Sequence, residues 1–207
     1  MKITKYEHAC FVVEDNGQVL VVDPGAYTTD FVVPSGVVAV VVTHEHPDHL
    51  DKTHLQAVVA ANPDAIVIAH SDITSQLNDF KTQSVVAGEG IKVGNFALEF
   101  YGGTHATIYP ELPPVANLGV LINGRIYYPG DSFALPERNV DVLALPVSAP
   151  WMKLSEAIDF AKAVNPKVIF PTHDAVLSDF GKGLPDRLVP SFVSNVEYKR
   201  LHEPLDV

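Results

Sequence analysis

The sequence predicts a layered α/β sandwich. Short strands of β-branched residues recur along the chain, and two amphipathic helices lie between them, at 51–61 and at Leu154–Val164. The pattern is not the strict alternation that is typical of a barrel. With 207 residues, of which 47% are hydrophobic and 19% charged, the chain can bury a sizeable core. We therefore predict one domain over residues 1–207 and exclude disorder as a description of the whole chain.

The first part of the chain is predicted to form strands. Alternating and β-branched residues mark strands at 9–14 and at Gln18–Val22, and an Asn-Gly turn joins them as a hairpin. An Asp-Pro-Gly turn ends the second strand. The apolar run 37–42 is typical of a strand that is buried on both faces.

Helices and strands alternate in the next part of the chain. Apolar residues at helical spacing predict a helix at 51–61, which an Asn-Pro pair ends. A buried strand follows at 65–69, and then a short helix at 71–79 that a serine caps. Two strands are predicted within 88–101, around a Gly-Asn turn.

A second Asn-Gly hairpin opens the last part of the chain. It joins Leu118–Ile122 to a strand at 125–128. A buried strand is predicted at 140–145, and the amphipathic helix Leu154–Val164 follows it. The remaining predictions are a last clear strand at 167–170 and a weak terminal helix at 189–198.

Composition and charge exclude several classes of protein. The 14 basic and 25 acidic residues give a net charge of −11, and the basic residues form no cluster, so we expect no nucleic-acid partner. Cys10 is the single cysteine, which excludes a disulfide framework and a zinc site of several thiolates. No signal-peptide pattern and no long apolar run is present, so we expect a cytoplasmic protein with no membrane partner.

The densest chemical signal is the motif His44-x-His46-x-Asp48-His49, directly after an apolar strand. So many polar groups are hard to place in a packed core, because each needs a partner when it is buried. Imidazole with carboxylate is the ligand set that zinc, iron and manganese favour. Pro47 prevents a regular strand or helix, so a loop can aim these side chains at two neighbouring points. A helix beginning near Asp48 would also keep the His49 ring neutral and able to bind a metal.

Three further candidate ligands follow later strands. His105 comes after a strand and a Gly-Gly pair, Asp131 follows a hairpin strand, and His173 follows the last clear strand. Each of them taken alone is compatible with a capping or surface residue. Loops that leave a sheet edge usually carry function on a rigid scaffold. Together with the loop at 44–49, these residues predict a metal site built from several distant segments.

These motifs resemble those of the metallo-β-lactamase superfamily of metal-dependent hydrolases. The match runs from the Asp-Pro-Gly turn at Asp23, through the histidine motif, to His105, Asp131 and His173. The resemblance implies a four-layered αββα sandwich, in which two mixed β-sheets are flanked by helices. It also implies two divalent metal ions, with zinc expected and manganese or iron as alternatives. By this resemblance His44, His46 and His105 would hold one ion, Asp48, His49 and His173 the other, and Asp131 would bridge them, while Asp23 would hydrogen-bond a ligand imidazole.

Within the superfamily, the chain resembles a small branch of metal-dependent hydrolases that is related to ascorbate-phosphate lactonases and N-acylphosphatidylethanolamine phospholipases. His8-Ala9, Asn117 and the segment 126–132 support this branch. The resemblance implies that a hydroxide bridging the two metals attacks a carbonyl or phosphoryl centre of a small-molecule ester, lactone or phosphodiester. Asp48 and Asp131 would be the catalytic residues, with Asp48 orienting the water or taking a proton.

Two other function classes remain open. An iron-dependent oxidoreductase can use the same ligands, and a non-catalytic metal-binding module can keep the same fold. The presence of all the candidate ligands favours an enzyme over the binding module. The sequence leaves the oligomeric state and the scissile bond undecided.

Several residues near the motifs have open roles. His8 is either a donor on the pocket wall or a surface histidine. His54 is expected to face solvent, whereas His70 ends a strand and is a candidate for the mouth of the pocket or has no role in it. Trp151 and Met152 are either part of an apolar pocket wall or ordinary loop residues, and the proline-rich loop at 109–115 is expected to border the site.

Overall fold

The computed structural model describes all 207 residues and shows two mixed β-sheets, each of seven strands. The strands are β1 (Lys2–Lys5), β2 (Phe11–Asp15), β3 (Gln18–Val22), β4 (Val37–Val41), β5 (Ile66–Ala69), β6 (Thr82–Ser84), β7 (Gly90–Val93), β8 (Phe96–Gly102), β9 (Leu118–Ile122), β10 (Ile126–Tyr128), β11 (Val142–Pro146), β12 (Val168–Thr172), β13 (Glu197–Tyr198) and β14 (Leu205–Asp206). The helices are α1 (Lys52–Ala61), α2 (Ser71–Thr74), α3 (Leu154–Val164) and α4 (Asp179–Phe192).

Each sheet combines an antiparallel half with a parallel half. The first sheet has the order β14-β1-β2-β3-β4-β5-β6, and its strands are parallel from β3 to β6. The second has the order β13-β12-β11-β10-β9-β8-β7, and its strands are parallel from β10 to β13. Parallel neighbours need crossover connections, and α1, α2, α3 and α4 lie in such connections.

Three apolar layers hold the four structural layers together. A cluster of 20 buried residues, drawn from both sheets, fills the space between them. A second cluster joins the second sheet to α3 and α4, and a third joins the first sheet to α1 and α2. Strand β11 shows the alternation behind this arrangement, because Val142 and Ala144 face the other sheet whereas Leu143 and Leu145 face the helices.

Both predicted Asn-Gly hairpins are confirmed. Asn16 and Gly17 have φ of 48° and 78°, and Asn123 and Gly124 have φ of 50° and 63°. Positive φ at both central residues is the type I′ geometry, whose twist matches that of the flanking strands. The turns therefore fix the register of β2 with β3 and of β9 with β10.

The short helix predicted at 71–79 was too long, and its cap was wrong. Helix α2 covers only Ser71–Thr74. The capping residue is His70, whose Nδ1 accepts a hydrogen bond from the backbone N–H of Asp72 at 3.3 Å. This contact gives His70 a structural role.

The terminal helix predicted at 189–198 was also wrong. Helix α4 begins earlier, at Asp179, and ends at Phe192, while Glu197–Tyr198 forms β13. The helix contains two glycines and two prolines, residues with poor helix propensity, so the sequence pattern resembled a loop. Ser178 caps it by accepting the backbone N–H of Gly181 at 3.1 Å, and packing against α3 holds it in place.

The candidate site residues all leave the sandwich in loops that meet. They follow β3, β4, β8, β10 and β12, and His8 lies in the turn between β1 and β2. None of the helices has the length and apolarity required to cross a bilayer.

Candidate metal centre

The loops bring the predicted ligands into one cluster. The potential ligand atoms of His44, His46 and His105 lie within 4.8 Å of one another, which is the set predicted for one ion. Asp48, His49 and His173 form a second such group, which also contains His8. A third group, composed of His44, His49 and Asp131, joins the first two.

Several donor atoms in this cluster are buried without a hydrogen-bond partner. They are the Nε2 atoms of His44, His49, His105 and His173, together with Oδ1 of Asp131. A buried polar atom with no partner is costly, on the order of 1–3 kcal/mol each, so such a concentration needs a compensating ligand. Imidazole nitrogen and carboxylate oxygen are donors that divalent transition metals prefer. The residues therefore fit bound metal ions.

The other ring nitrogen of three histidines is held from outside the cluster. Nδ1 of His44 faces the hydroxyl of Thr43 at 3.1 Å. Nδ1 of His105 donates to the carbonyl of Ala106 at 2.5 Å, and Nδ1 of His173 donates to the carbonyl of Ser148 at 2.6 Å. Such contacts fix the tautomer and the ring orientation. As a result each Nε2 carries a free lone pair and points at the centre.

Asp23 holds His49 in the same way. Nδ1 of His49 donates to Oδ2 of Asp23 at 2.7 Å, and both groups are fully buried. The same carboxylate accepts the backbone N–H of Thr43 at 2.8 Å and its hydroxyl at 2.6 Å. Asp23 therefore holds His49 directly and holds His44 through the hydroxyl of Thr43.

Asp131 lies between the histidines. Its Oδ2 is 3.1 Å from Nε2 of His173 and 3.4 Å from Nε2 of His105. The indole Nε1 of Trp151 donates to the same oxygen at 2.8 Å, and the side chain of Asn117 accepts the Asp131 backbone N–H at 2.9 Å. The sequence made Trp151 a candidate for the pocket wall but did not reveal this hydrogen bond to a carboxylate.

Asp48 faces the other side of the cluster. Its Oδ2 lies 3.0 Å from Nε2 of His8 and 3.2 Å from Nε2 of His173. Nε2 of His49 is 3.7 Å away. One carboxylate oxygen is thus shared by three imidazoles.

His8 is a buried residue, so the surface alternative considered for it was wrong. Its Nδ1 accepts the backbone N–H of Ala175 at 3.3 Å, which leaves the proton on Nε2 for donation to Asp48. The backbone of His8 has φ of 56°, and its carbonyl accepts the backbone N–H of His173 at 3.0 Å. These contacts tie the β1–β2 turn to the loop after β12.

Burial and charge divide the histidines into two electrostatic groups. Burial lowers the pKa of His44 well below its usual value, and it also lowers the pKa of His46 and of His8. Burial opposes protonation of His49 as well, but the carboxylates of Asp131 and Asp23 outweigh it and raise the pKa of His49 to about 10. Helix α1 begins only at Lys52, later than the start near Asp48 that was expected, so the carboxylates and not a helix N-terminus act on the His49 ring.

The carboxylates of the cluster are held ionised. Burial raises the pKa of Asp131, but the charge on His49 outweighs it and holds that pKa well below its usual range. Burial also raises the pKa of Asp48, but the hydrogen bond from His8 and the neighbouring imidazoles outweigh it and lower that pKa. Two negative charges are thus concentrated in a buried cluster, which favours a bound cation.

His54 and Cys10, which the sequence also singled out, lie outside the cluster. His54 was expected to face solvent, but it is half-buried, its ring packs against Phe31 and its Nδ1 lies 3.2 Å from the carbonyl of Pro24. Helix α1 crosses the loop after β3 at this point, a tertiary contact that helical periodicity does not reveal. Cys10 is fully buried.

A cavity of about 400 Å³ opens on one side of the cluster. Its walls are His46, His105 and the loop 104–115. The prediction that the proline-rich loop at 109–115 borders the site is therefore confirmed.

Comparison with known proteins places this site in a family. The family model described as Beta-lactamase superfamily domain matches residues 2–173. The chain belongs to this superfamily. The match covers every segment of the donor cluster, and the resemblance to the metallo-β-lactamase superfamily is confirmed.

Individual relatives agree with this assignment. The chain is similar to Protein Rv0786c of Mycobacterium tuberculosis, with 35% identity over 189 residues and 89% of each chain covered. It is also similar to the UPF0173 metal-dependent hydrolase MJ1163 of Methanocaldococcus jannaschii, with 25% identity and 83% of each chain covered. The structure of Igni18, a metallo hydrolase from Ignicoccus hospitalis, shares the fold at 18% identity, with a TM-score of 0.76 and coverage of 100% of this chain and 98% of the other.

Proposed function

We propose that the chain is a metal-dependent hydrolase that acts on a small molecule and binds two divalent ions. The observation that carries this proposal is the set of buried Nε2 and carboxylate atoms that point at one another without hydrogen-bond partners. The name of the relative MJ1163 supports the same activity. In this proposal His44, His46 and His105 would hold one ion, Asp48, His49 and His173 would hold the other, and Asp131 would bridge them.

Bound metal ions would supply Lewis-acid chemistry at this site. They would lower the pKa of a bound water, so that hydroxide is available near neutral pH, and would polarise a carbonyl or phosphoryl oxygen of the substrate. The protein residues supply orientation and proton transfer. Asp48 would orient the attacking water or accept its proton, since its Oδ2 faces the second group of donors.

Asp131 would have a different role, which follows from its surroundings. Both of its oxygens face imidazole nitrogens, and Trp151 restrains one of them. A carboxylate fixed on both sides is suited to hold two cations at a constant separation. Asp23 acts through His49, whose ring it orients and makes a stronger donor.

The donor set favours zinc, with manganese and iron as the alternatives, because histidine dominates it and thiolate is absent. The net charge of −11 supports a small-molecule substrate over nucleic acid. A cytoplasmic location is part of the proposal and is supported by the presence of a single, buried cysteine.

Metal analysis with a substrate screen tests the proposal. Purified protein should contain about two equivalents of divalent metal, and a chelator should abolish hydrolysis of esters, lactones or phosphodiesters until metal is restored. His105→Asn should lower both metal content and hydrolysis, whereas His202→Asn, which changes an exposed histidine, should change neither. Folded protein that binds no metal would contradict the proposal. Stoichiometric iron with redox turnover would favour an oxidoreductase, and bound metal without any turnover would favour a binding module.

A further inference from the structure

The cavity beside the cluster differs from the other large cavities in its charge. His46 and His105 form its inner end, and the remaining wall is the loop 104–115. No Lys, Arg, Asp or Glu side chain lines it, since Glu111, the one charged residue of the loop, lies outside the lining. Its wall consists of aliphatic side chains, three prolines, two threonines and Tyr109.

The neighbouring cavities are strongly charged by comparison. A cavity of about 350 Å³ on the far side of His8 is lined by acidic and basic side chains that include Lys5, Asp174 and Arg200. Another, of about 600 Å³, is lined by three glutamates. The uncharged wall is therefore a property of the one cavity that reaches the donors of His46 and His105.

Backbone hydrogen bonds hold the base of the loop 104–115 in place. The backbone N–H of His105 donates to the carbonyl of Val115 at 3.0 Å, and the N–H of Ala106 donates to the carbonyl of Asp131 at 2.9 Å. Three prolines restrict the backbone between these points. The loop is thus tied to two residues of the candidate metal centre.

Apolar side chains of this loop are unusually exposed. Ile108 is 36% exposed, Tyr109 56% and Leu112 54%. Exposed apolar groups that line a cavity beside a candidate active site are available to cover the apolar part of a ligand.

We propose that the cavity binds the apolar body of an uncharged carboxylic ester or lactone, whose carbonyl then lies at the His46–His105 end. This inference rests on the proposed hydrolase function and narrows its substrate class. A substrate with an anionic group away from the scissile bond would place that charge beside a wall that offers no cation, in a protein of net charge −11. The wall instead favours binding of aliphatic groups, because each methylene that it removes from water stabilises the complex.

Two matched series of p-nitrophenyl esters test the inference. In the first series, kcat/KM should rise about two- to fourfold per methylene from the acetate through the butyrate to the hexanoate. In the second, kcat/KM for the hexanoate should be at least tenfold higher than for the adipate monoester, because the two acyl chains differ only in ending with a methyl group or with a carboxylate. Leu112→Ser should flatten the first series. Leu135→Ser should leave it unchanged, because Leu135 is 52% exposed and lies outside this cavity.

A binding measurement keeps this test independent of turnover. Trp151 is the single tryptophan, and its ring lies 6.2 Å from that of His105, so its fluorescence reports on the inner end of the cavity. Hexanamide should change this fluorescence saturably, and more weakly in Leu112→Ser than in Leu135→Ser.

The outcomes separate the two proposals. A flat chain-length series, preference for the adipate, or turnover of phosphodiesters alone would overturn the substrate class and leave the hydrolase proposal intact. If none of the substrates is hydrolysed, the hydrolase proposal fails and hexanamide binding decides the inference by itself. Absence of saturable hexanamide binding would then overturn the inference.

Discussion

Asp23 and His49 are joined by a 2.7 Å hydrogen bond that lies wholly inside the protein. The carboxylate comes from the turn after β3 and the imidazole from the loop after β4, so the contact joins two segments at the parallel pair β3–β4. It commits Nδ1 of His49 as the donor and leaves Nε2 for the centre of the cluster.

Asp23→Asn tests the importance of this contact. The amide presents a weaker acceptor or a competing donor to Nδ1, so we expect the affinity for metal to fall about 10- to 100-fold. Asparagine tolerates the φ of 43° at this position, so the backbone should be retained. Isothermal titration of metal into chelator-treated protein measures the effect. Asp79→Asn, an exposed change, is the control, and equal affinities for the two variants would contradict the role of Asp23.

Gly25→Ala is expected to displace the histidine loop. A Cβ at this position would lie 1.9 Å from the carbonyl oxygen of Asp48 and 2.0 Å from its carbon, and these backbone atoms cannot move without moving the loop. We expect a loss of about 1–3 kcal/mol in the free energy of unfolding, together with weaker metal binding. Chemical denaturation measures the first effect. In Gly183→Ala the new Cβ meets nothing within 4 Å, so this helical control should instead gain about 0.5–1 kcal/mol.

His8→Leu and His8→Gln form a matched pair that tests the donor to Asp48. Both variants carry the same backbone strain at φ 56°, but only glutamine retains an N–H that can reach the carboxylate. We expect kcat to fall about 10- to 100-fold in the leucine variant and to recover partly in the glutamine variant. Metal content should stay the same in both. Equal kcat values in the two variants would show that the hydrogen bond has no catalytic importance.

Because of Lys5, we expect the free energy of unfolding to rise with pH over an alkaline range. Burial lowers its pKa from 10.5 to about 8, although the charge of Asp174 opposes this shift. Between pH 8 and 10.5 the unfolded chain therefore binds more protons at Lys5 than the folded chain, so the free energy of unfolding should rise with pH in that window. Relative to Lys5→Met, in which other groups titrate alike, wild type should gain about 1 kcal/mol per pH unit near pH 9. Urea denaturation at pH 7, 8 and 9 measures the difference, and parallel profiles would contradict it.

The parts of the fold that depend on local patterns were predicted from the sequence. The two Asn-Gly hairpins and helices α1 and α3 follow from turn chemistry and periodicity. Helix α4 did not, because its glycines and prolines conceal a helix that tertiary packing and a serine cap maintain. The edge pairing of β1 with β14 joins Ile3 to Leu205, and no local pattern reports a contact between the two ends of a chain.

The candidate site also has features that could be predicted from the sequence and features that could not. The histidine motif is contiguous, and the later ligands follow strands, so their meeting could be predicted from the sequence and the family resemblance. The hydrogen bonds from Trp151 to Asp131 and from His8 to Asp48 could not, since they depend on three-dimensional distance alone. The assignment of each ligand to an ion stays a prediction.

Anomalous X-ray diffraction from a metal-loaded crystal tests the central claim most directly. We expect two anomalous peaks about 3.5–4 Å apart, with Nε2 of His105 and of His173 each about 2.0–2.1 Å from a different peak and Asp131 between the two. A fully loaded crystal in which the peaks lie away from the histidine cluster, or in which His105 and His173 contact no metal, would contradict it.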